Sequence, residues 1–229
     1  MNRPVLVITH VPQEGPGLIA GALDHPYRVR TVLHDEHPTL PSVDEIAGLV
    51  VMGGPPDADD DDHFPGLAAE RRLLAHAVDA GLPVLGVCLG MQLLAMALGA
   101  PLLRRAGTEV GFAPIDVVAD DPLLAPLGAH PHVLHWHNDC VGLPPGATLL
   151  AGNAVSPVQA FRAGTAVGMQ FHVEVDASLL DLWLSLPDEM LDDDLRAGIR
   201  TDAARVLPEL TPAATTALGE FGRRVRARG

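Results

Sequence analysis

An α/β fold with a doubly wound, mostly parallel sheet and helices on both faces is predicted by three observations. Short apolar runs alternate with helix-spaced segments through the first hundred residues. Glycine- or proline-rich turns separate these runs, as in GGPP after Met52 and AGLP before Val84. A chain of 229 residues that is 48% apolar can bury the two-sided core such a sheet requires.

Taken in order, Val5–Ile8 is a short buried strand, and VPQEGPG is the loop that leaves it. Leu18–Leu23 begins a first helix, and Tyr27–Leu33 alternates as a second strand does. Ile46–Met52 is a third strand, stopped by Gly53-Gly54-Pro55-Pro56. Leu67–Ala80 has helical spacing, with Gly81 at its C-terminal end. Pro83–Val87 is a fourth strand and Met91–Leu98 the helix after it. From Leu102 the pattern becomes short strands, at Ile115–Val118, Val133–Trp136, Leu149–Ala151, Val158–Phe161 and Ala166–Phe171. These predict an antiparallel extension that finishes the sheet. Residues 177–229 are predicted as a helical C-terminal extension packed on residues 1–176. Its three segments, Ser178–Leu186, Asp188–Val206 and Pro212–Arg226, are broken at Pro187 and around Pro208 and Pro212.

Composition removes several functions. A net charge of −14 opposes nucleic-acid binding through phosphate neutralisation. All 15 basic residues are arginine, which excludes a Walker-type phosphate loop, a Schiff-base lysine and a Ser–Lys dyad. No apolar run reaches membrane-spanning length. The N-terminal MNRPVLVITH enters a strand directly, without the longer apolar region of a signal peptide, so a cytoplasmic location is expected. Two cysteines make no disulfide framework.

Chemistry concentrates in three stretches. Gly86-Val87-Cys88-Leu89-Gly90 matches the G-x-nucleophile-x-G elbow, in which glycines relieve crowding around a nucleophile held between strand and helix. The helix N-terminus would face the sulfur and stabilise negative charge there, and the Leu89 amide would meet an oxyanion. The same five residues equally suit a buried cysteine beside packing glycines. Gly53-Gly54-Pro55 ends a neighbouring strand, where a glycine turn can offer a second N–H to the same crevice. In Gly168-Met169-Gln170-Phe171-His172-Val173-Glu174, the two-residue strand repeat sets His172 and Glu174 on one face. An imidazole and a carboxylate in that relation could exchange a thiol proton and fix the ring that does so.

Together, GVCLGMQLLA, MGGP, the HWHND stretch and GMQFHVE resemble the class I glutamine amidotransferases, in particular stand-alone chains similar to the glutaminase domain of GMP synthase. The likeness runs from about Ala47 to Asp176. It implies that Cys88 attacks the glutamine amide carbon, Gly54 and Leu89 hold the oxyanion, His172 moves the proton and Glu174 orients His172. It further implies that Gln92, His137, Asn138 and Asp139 border the substrate, with Asp139 against the α-ammonium. Two departures stand out. Val173 replaces the family's usual proline, and Asn138 occupies a position that is often glycine, so it either narrows the pocket or adopts positive φ. The implied activity is hydrolysis of glutamine to glutamate and ammonia, with ammonia passed to a separate synthetase. The alternatives are a γ-glutamyl peptide or amine hydrolase, and a non-catalytic binding protein that retains the fold. No cofactor is implied.

The remaining features are read as structural. His130 and His132 face opposite His135 and His137 in a strand, so the four make no complete zinc set. The Asp57–Asp62 run is a solvated loop, and Cys140 is a packed thiol near the site. Trp136 and Trp183 are core or rim residues. The arginines of GRRVRARG form a solvated helix end.

Overall fold

The computed structural model describes residues 3–228. The parallel half follows the predicted alternation: β1 (Val5–Ile8), α1 (Leu18–Leu23), β2 (Tyr27–Arg30), β3 (Gly48–Val51), α2 (Gly66–Asp79), β4 (Val84–Val87) and α3 (Leu89–Ala97). After it come β5 (Leu102–Leu103), β6 (Glu109–Pro114), β7 (Asp116–Val117), β8 (His132–His137), β9 (Cys140–Val141), β10 (Thr148–Gly152), β11 (Ala160–Ala163) and β12 (Ala166–Met169). The chain ends in α4 (Ala177–Ser185) and α5 (Asp193–Arg228).

The eight-stranded sheet has the order β2-β1-β3-β4-β12-β11-β10-β7. β1, β3 and β4 are apolar throughout and buried on both faces, as expected where helices cover both sides of a parallel sheet. Two apolar clusters sandwich them: one under α2 and α3, the other under α1, α4 and α5. Among the described residues, no helix is long and apolar enough to cross a membrane.

Three expectations are corrected. β12 was expected in the antiparallel extension, but it pairs parallel to β4, with Met169 opposite Val87; the antiparallel pairings are those of β12 with β11, β11 with β10 and β10 with β7. This carries the end of β12 alongside Cys88, whose N–H donates to the Met169 carbonyl at 2.8 Å. The strand predicted at Val133–Trp136 lies in a separate two-stranded sheet, paired with β6, which the periodicity did not reveal. Finally, Pro208 and Pro212 do not break α5. Both lie on its exposed face, so carbonyls freed by the missing N–H groups meet water. Val206, Leu207, Leu210, Ala214, Leu218 and Phe221 meanwhile hold the opposite face in the core.

The terminal arginines are not free in solvent either. Arg226 donates to the carbonyl of Leu23 at the end of α1, and Arg228 to that of Ala80 beyond α2. Cations there complement the negative ends of two helix dipoles.

Candidate active site

In the sheet, β3, β4 and β12 are parallel neighbours, so the three residue groups singled out above emerge side by side at one edge. The chain turns sharply at Cys88, with φ 50° and ψ −110°, directly before α3. A non-glycine residue in that region is strained, and such strain is what presents a nucleophile above a sheet. The flanking glycines make the turn possible by close approach. A Cβ on Gly86 would lie 2.6 Å from the Gly90 carbonyl oxygen, and one on Gly90 would lie 2.0 Å from that of Val51.

Cys88 and the His172 ring line the same cavity and both flank the Gly53 turn, where a Cβ on Gly53 would lie 3.3 Å from His172 Cε1 and 3.6 Å from Cys88 Cβ. Cys88 Sγ lies 3.6 Å from the Gln170 amide nitrogen and 3.7 Å from the Trp136 carbonyl oxygen. His172 Nδ1 is 2.7 Å from Glu174 Oε1, and both side chains are almost wholly buried. The His172 backbone N–H donates to the Leu134 carbonyl at 2.8 Å, and Trp183 packs its edge against the ring. Burial alone would lower the His172 pKa. The Glu174 charge, its hydrogen bond to the ring and the neighbouring Cys88 outweigh it and raise the pKa well above the ordinary imidazole value. Val173 leaves this arrangement intact, although the strand expected to carry both residues ends at Met169: Glu174 reaches His172 from a bent segment, anchored at His172 by an isolated bridge to Leu134.

Gly54, Cys88, Gln92, His137, Asn138, Asp139 and His172 line one cavity of about 440 Å³. Leu89 follows Cys88 as the first residue of α3, and among the described residues the Gly54 N–H donates to no backbone acceptor. Gln92 is turned partly inward, its amide nitrogen 3.2 Å from Gln170 Oε1. Asp139 Oδ1 accepts from the Arg105 N–H at 2.7 Å, and His137 Nδ1 is 3.1 Å from the Asp139 carbonyl. Asn138 is not among the residues with positive φ; its side-chain oxygen accepts from Thr108 and it lines the cavity wall.

Other parts of the site escaped the sequence. Glu14, in the loop after β1, lines the cavity, and a Cβ on Gly53 would meet its carboxylate at 2.7 Å and His172 Cε1 at 3.3 Å. Burial raises the Glu14 pKa above the usual carboxyl range, against the pull of His172 and His10. The segment between α4 and α5 supplies Leu186, Pro187, Asp188, Glu189 and Met190, while Trp136 and Trp183 meet edge to face at the rim. Asp188 fixes Trp136 by accepting from its indole N–H at 3.0 Å. Glu14 sits in a loop read only as turn-rich, and nothing in its spacing ties it to Cys88.

Cys140 is buried and packed, as expected, and burial raises its thiol pKa. Of the four crowded histidines, His135 and His137 converge on Glu109, with ligand-type atoms within 4.8 Å of one another. Such a set could hold a divalent cation. The Glu109 carboxylate also accepts from Asn153 at 2.7 Å and Gln159 at 2.6 Å, so the protein itself supplies donors to both oxygens. Burial, helped by His137 and opposed by Glu109, pushes the His135 imidazole down to about 4. The unfolded chain binds this proton near the ordinary value of 6.5, so the stability contribution is full above that pH. It is lost as pH falls towards and through the folded value. His135→Gln, which cannot titrate, is expected to flatten the loss of stability between about pH 7 and pH 5. Urea midpoints across that range test this; parallel curves would acquit His135.

Comparison with known proteins agrees with this geometry. The model of the class-I glutamine amidotransferase family matches residues 21–182. The chain is 39% identical over 142 residues to the glutamine amidotransferase-like protein YfeJ of Salmonella typhimurium, covering 58% of this chain and 59% of that one. It is 38% identical over 129 residues to the glutamine-hydrolysing GMP synthase of Thermomicrobium roseum, covering 56% of this chain and 23% of the synthase. The chain therefore spans less than two thirds of the first and about a quarter of the second. Two crystal structures superpose over nearly the whole chain. A glutamine amidotransferase from Thermotoga maritima gives a TM-score of 0.85 at 27% identity, covering 97% of this chain and 99% of that one. Another, from Methylobacillus flagellatus, gives 0.80 at 28% identity, covering 100% and 94%. With the family model matching most of its length, the chain belongs to the class I glutamine amidotransferases.

Proposed function

We propose that the chain hydrolyses the side-chain amide of glutamine to glutamate and ammonia through a γ-glutamyl thioester on Cys88. The observation that carries this reading is a strained cysteine that lines the same cavity as a buried imidazole, which is itself hydrogen-bonded to a buried carboxylate. Cys88 Sγ attacks the amide carbon while the substrate oxygen takes up negative charge against the N–H groups of Gly54 and Leu89. The proton held by His172 passes to the nitrogen, the carbon–nitrogen bond breaks and ammonia leaves. Acylation removes the Cys88 contacts that help raise the His172 pKa, so the ring becomes a better match for a base. It then takes a proton from water, the hydroxyl adds to the thioester, and the carbon–sulfur bond breaks to release glutamate. Glu174 holds the ring in register throughout. Gln92, His137, Asn138 and Asp139 border the amino-acid head of the substrate.

In this reading residues 1–176 form the glutaminase unit and residues 177–229 an extension packed on it that supplies one wall of the pocket. The ammonia goes either to water or to a separate synthetase, since the GMP synthases matched here are roughly four times longer than the shared segment. A γ-glutamyl peptide or amine hydrolase is the second reading. It is favoured by the size of the cavity, about 440 Å³, whose lining includes Trp136, Trp183, Glu189 and Met190 beside the residues proposed to hold the amino-acid head.

Glutamate release from glutamine and from γ-glutamyl-p-nitroanilide tests both readings, alongside labelling by 6-diazo-5-oxo-norleucine. Turnover of glutamine with label on Cys88 is expected; strong preference for the anilide moves the assignment to the second reading. Turnover of neither compound, with Cys88 unlabelled while other thiols react, would leave a binding protein.

A further inference from the structure

Behind the Gly53-Gly54 turn lies a second histidine–carboxylate pair that the reaction steps above do not use. His10, just past the end of β1, and Glu70, in the second turn of α2, are both fully buried, with His10 Nε2 3.0 Å from Glu70 Oε2. The other ring nitrogen, Nδ1, lies 2.7 Å from the carbonyl oxygen of Gly53. We infer that His10 and Glu70 are positioning residues that lock the Gly53–Gly54 peptide with its N–H aimed at the oxyanion. The inference rests on the hydrolytic reading and deepens it by saying what orients one of its two donors.

The reasoning starts from the peptide bond. It is planar and trans, so the C=O of Gly53 and the N–H of Gly54 point in opposite directions. Holding the carbonyl on one side therefore fixes the N–H on the other, and the turn stands between His10 and the site, since a Cβ on Gly53 would lie 3.6 Å from Cys88 Cβ and 3.3 Å from His172 Cε1. Glycine pairs rotate freely, and a turn with no side chains has no grip of its own. The ring of His10 supplies it twice, by the hydrogen bond and by contact. A Cβ on Gly54 would lie 2.7 Å from His10 Cβ and 2.8 Å from Cγ, so the ring base lies flat against this residue.

The identity of the two partners defines the charge. A carbonyl oxygen only accepts, as does a carboxylate, so a ring hydrogen-bonded to both must donate from both nitrogens. Between them His10 and Glu70 thus carry one proton more than a neutral imidazole beside a carboxylate would. Burial by itself lowers the His10 pKa, but the Glu70 hydrogen bond and charge, the Gly53 carbonyl and the charge of Glu14 leave it raised. Among the described residues Glu70 Oε1 meets no hydrogen-bond partner, so the carboxylate depends on His10 for its compensation. The two groups hold each other, and through them α2 is tied to the turn.

Two substitutions at one position separate this role from packing. His10→Asn keeps an N–H close to the place of Nδ1 and loses the reach to Glu70. His10→Gln keeps an N–H near Nε2 and loses the Gly53 partner. With glutamine as substrate and glutamate release as the readout, H10Q is expected to lower kcat about 10²-fold, towards the loss seen when an oxyanion donor is removed, with KM within about threefold. H10N should keep kcat within about tenfold of the parent. Alkylation of Cys88 by iodoacetamide, which develops no oxyanion, should proceed at the parental rate in both. Should either variant fail to fold, Glu70→Gln leaves the ring in place and is expected to cost about tenfold in kcat at unchanged KM. Equal losses in H10Q and H10N, parental kcat in H10Q or E70Q, or an alkylation rate that falls along with kcat would each overturn the clamp. An inactive parent overturns the hydrolytic reading and takes the clamp with it, whereas an active parent with indifferent variants overturns the clamp alone.

Discussion

Cys88→Ala is expected to abolish glutamate release, by about 10⁴-fold or more, while leaving the fold intact. The magnitude follows from what is removed. Without the sulfur no thioester forms, and water would have to attack the amide directly with only the oxyanion donors to help. The substitution is structurally mild. Cys88 is small and only 7% exposed, and its sulfur makes long contacts of 3.6 Å to Gln170 and 3.7 Å to Trp136. Alanine at φ 50° bears the same kind of backbone strain that cysteine already bears there, so the elbow keeps its shape. A coupled glutamate assay read beside thermal unfolding checks both halves. Residual turnover above about 1% of the parent with an unchanged melting temperature would show that the sulfur is not the nucleophile.

Much of this site was legible in the sequence because each part announces itself locally. Cys88 sits between two glycines at a strand-to-helix switch, and His172 and Glu174 are two positions apart, though they lie in the bent segment beyond β12 rather than on the strand face that alternation predicted. What was not legible depends on long-range placement. His10 and Glu70 are sixty positions apart and meet only because β1 and α2 pack on the same side of the Gly53 turn. Glu14 reaches the pocket through an irregular loop, whose path no periodicity encodes. The α5 prolines show the opposite error, a local rule overridden by tertiary packing. Proline breaks an isolated helix, but here a buried row on the far face holds the axis together. Likewise β12 looked like a hairpin partner of β11, which it is, yet its other edge completes the parallel set beside β4.

Gly90→Ala is expected to damage both stability and activity severely. Its Cβ would fall 2.0 Å from the Val51 carbonyl oxygen, 2.6 Å from the Val51 carbonyl carbon and 3.0 Å from Val51 Cβ. Two of those atoms are backbone in a central strand, so no side chain can swing aside, and α3 must lift away from β3 instead. The N–H of Gly90 also donates to the Met52 carbonyl at 3.1 Å, which ties the first turn of the helix to the strand that leads into the Gly53-Gly54 turn. Overpacking of this kind costs about 3 kcal/mol, and for a chain of this size that lowers the melting temperature by on the order of 10 °C. Activity should fall further than stability, because lifting α3 moves the Leu89 N–H and Cys88 together away from the oxyanion turn. Gly198→Ala is the matching control. Gly198 is exposed in α5 with nothing within 4 Å of its would-be Cβ, so alanine there should stabilise by about 0.5–1 kcal/mol through helix propensity alone. Thermal unfolding of the two variants beside the parent decides the matter: equal melting temperatures would mean that α3 does not rest on β3 as closely as described.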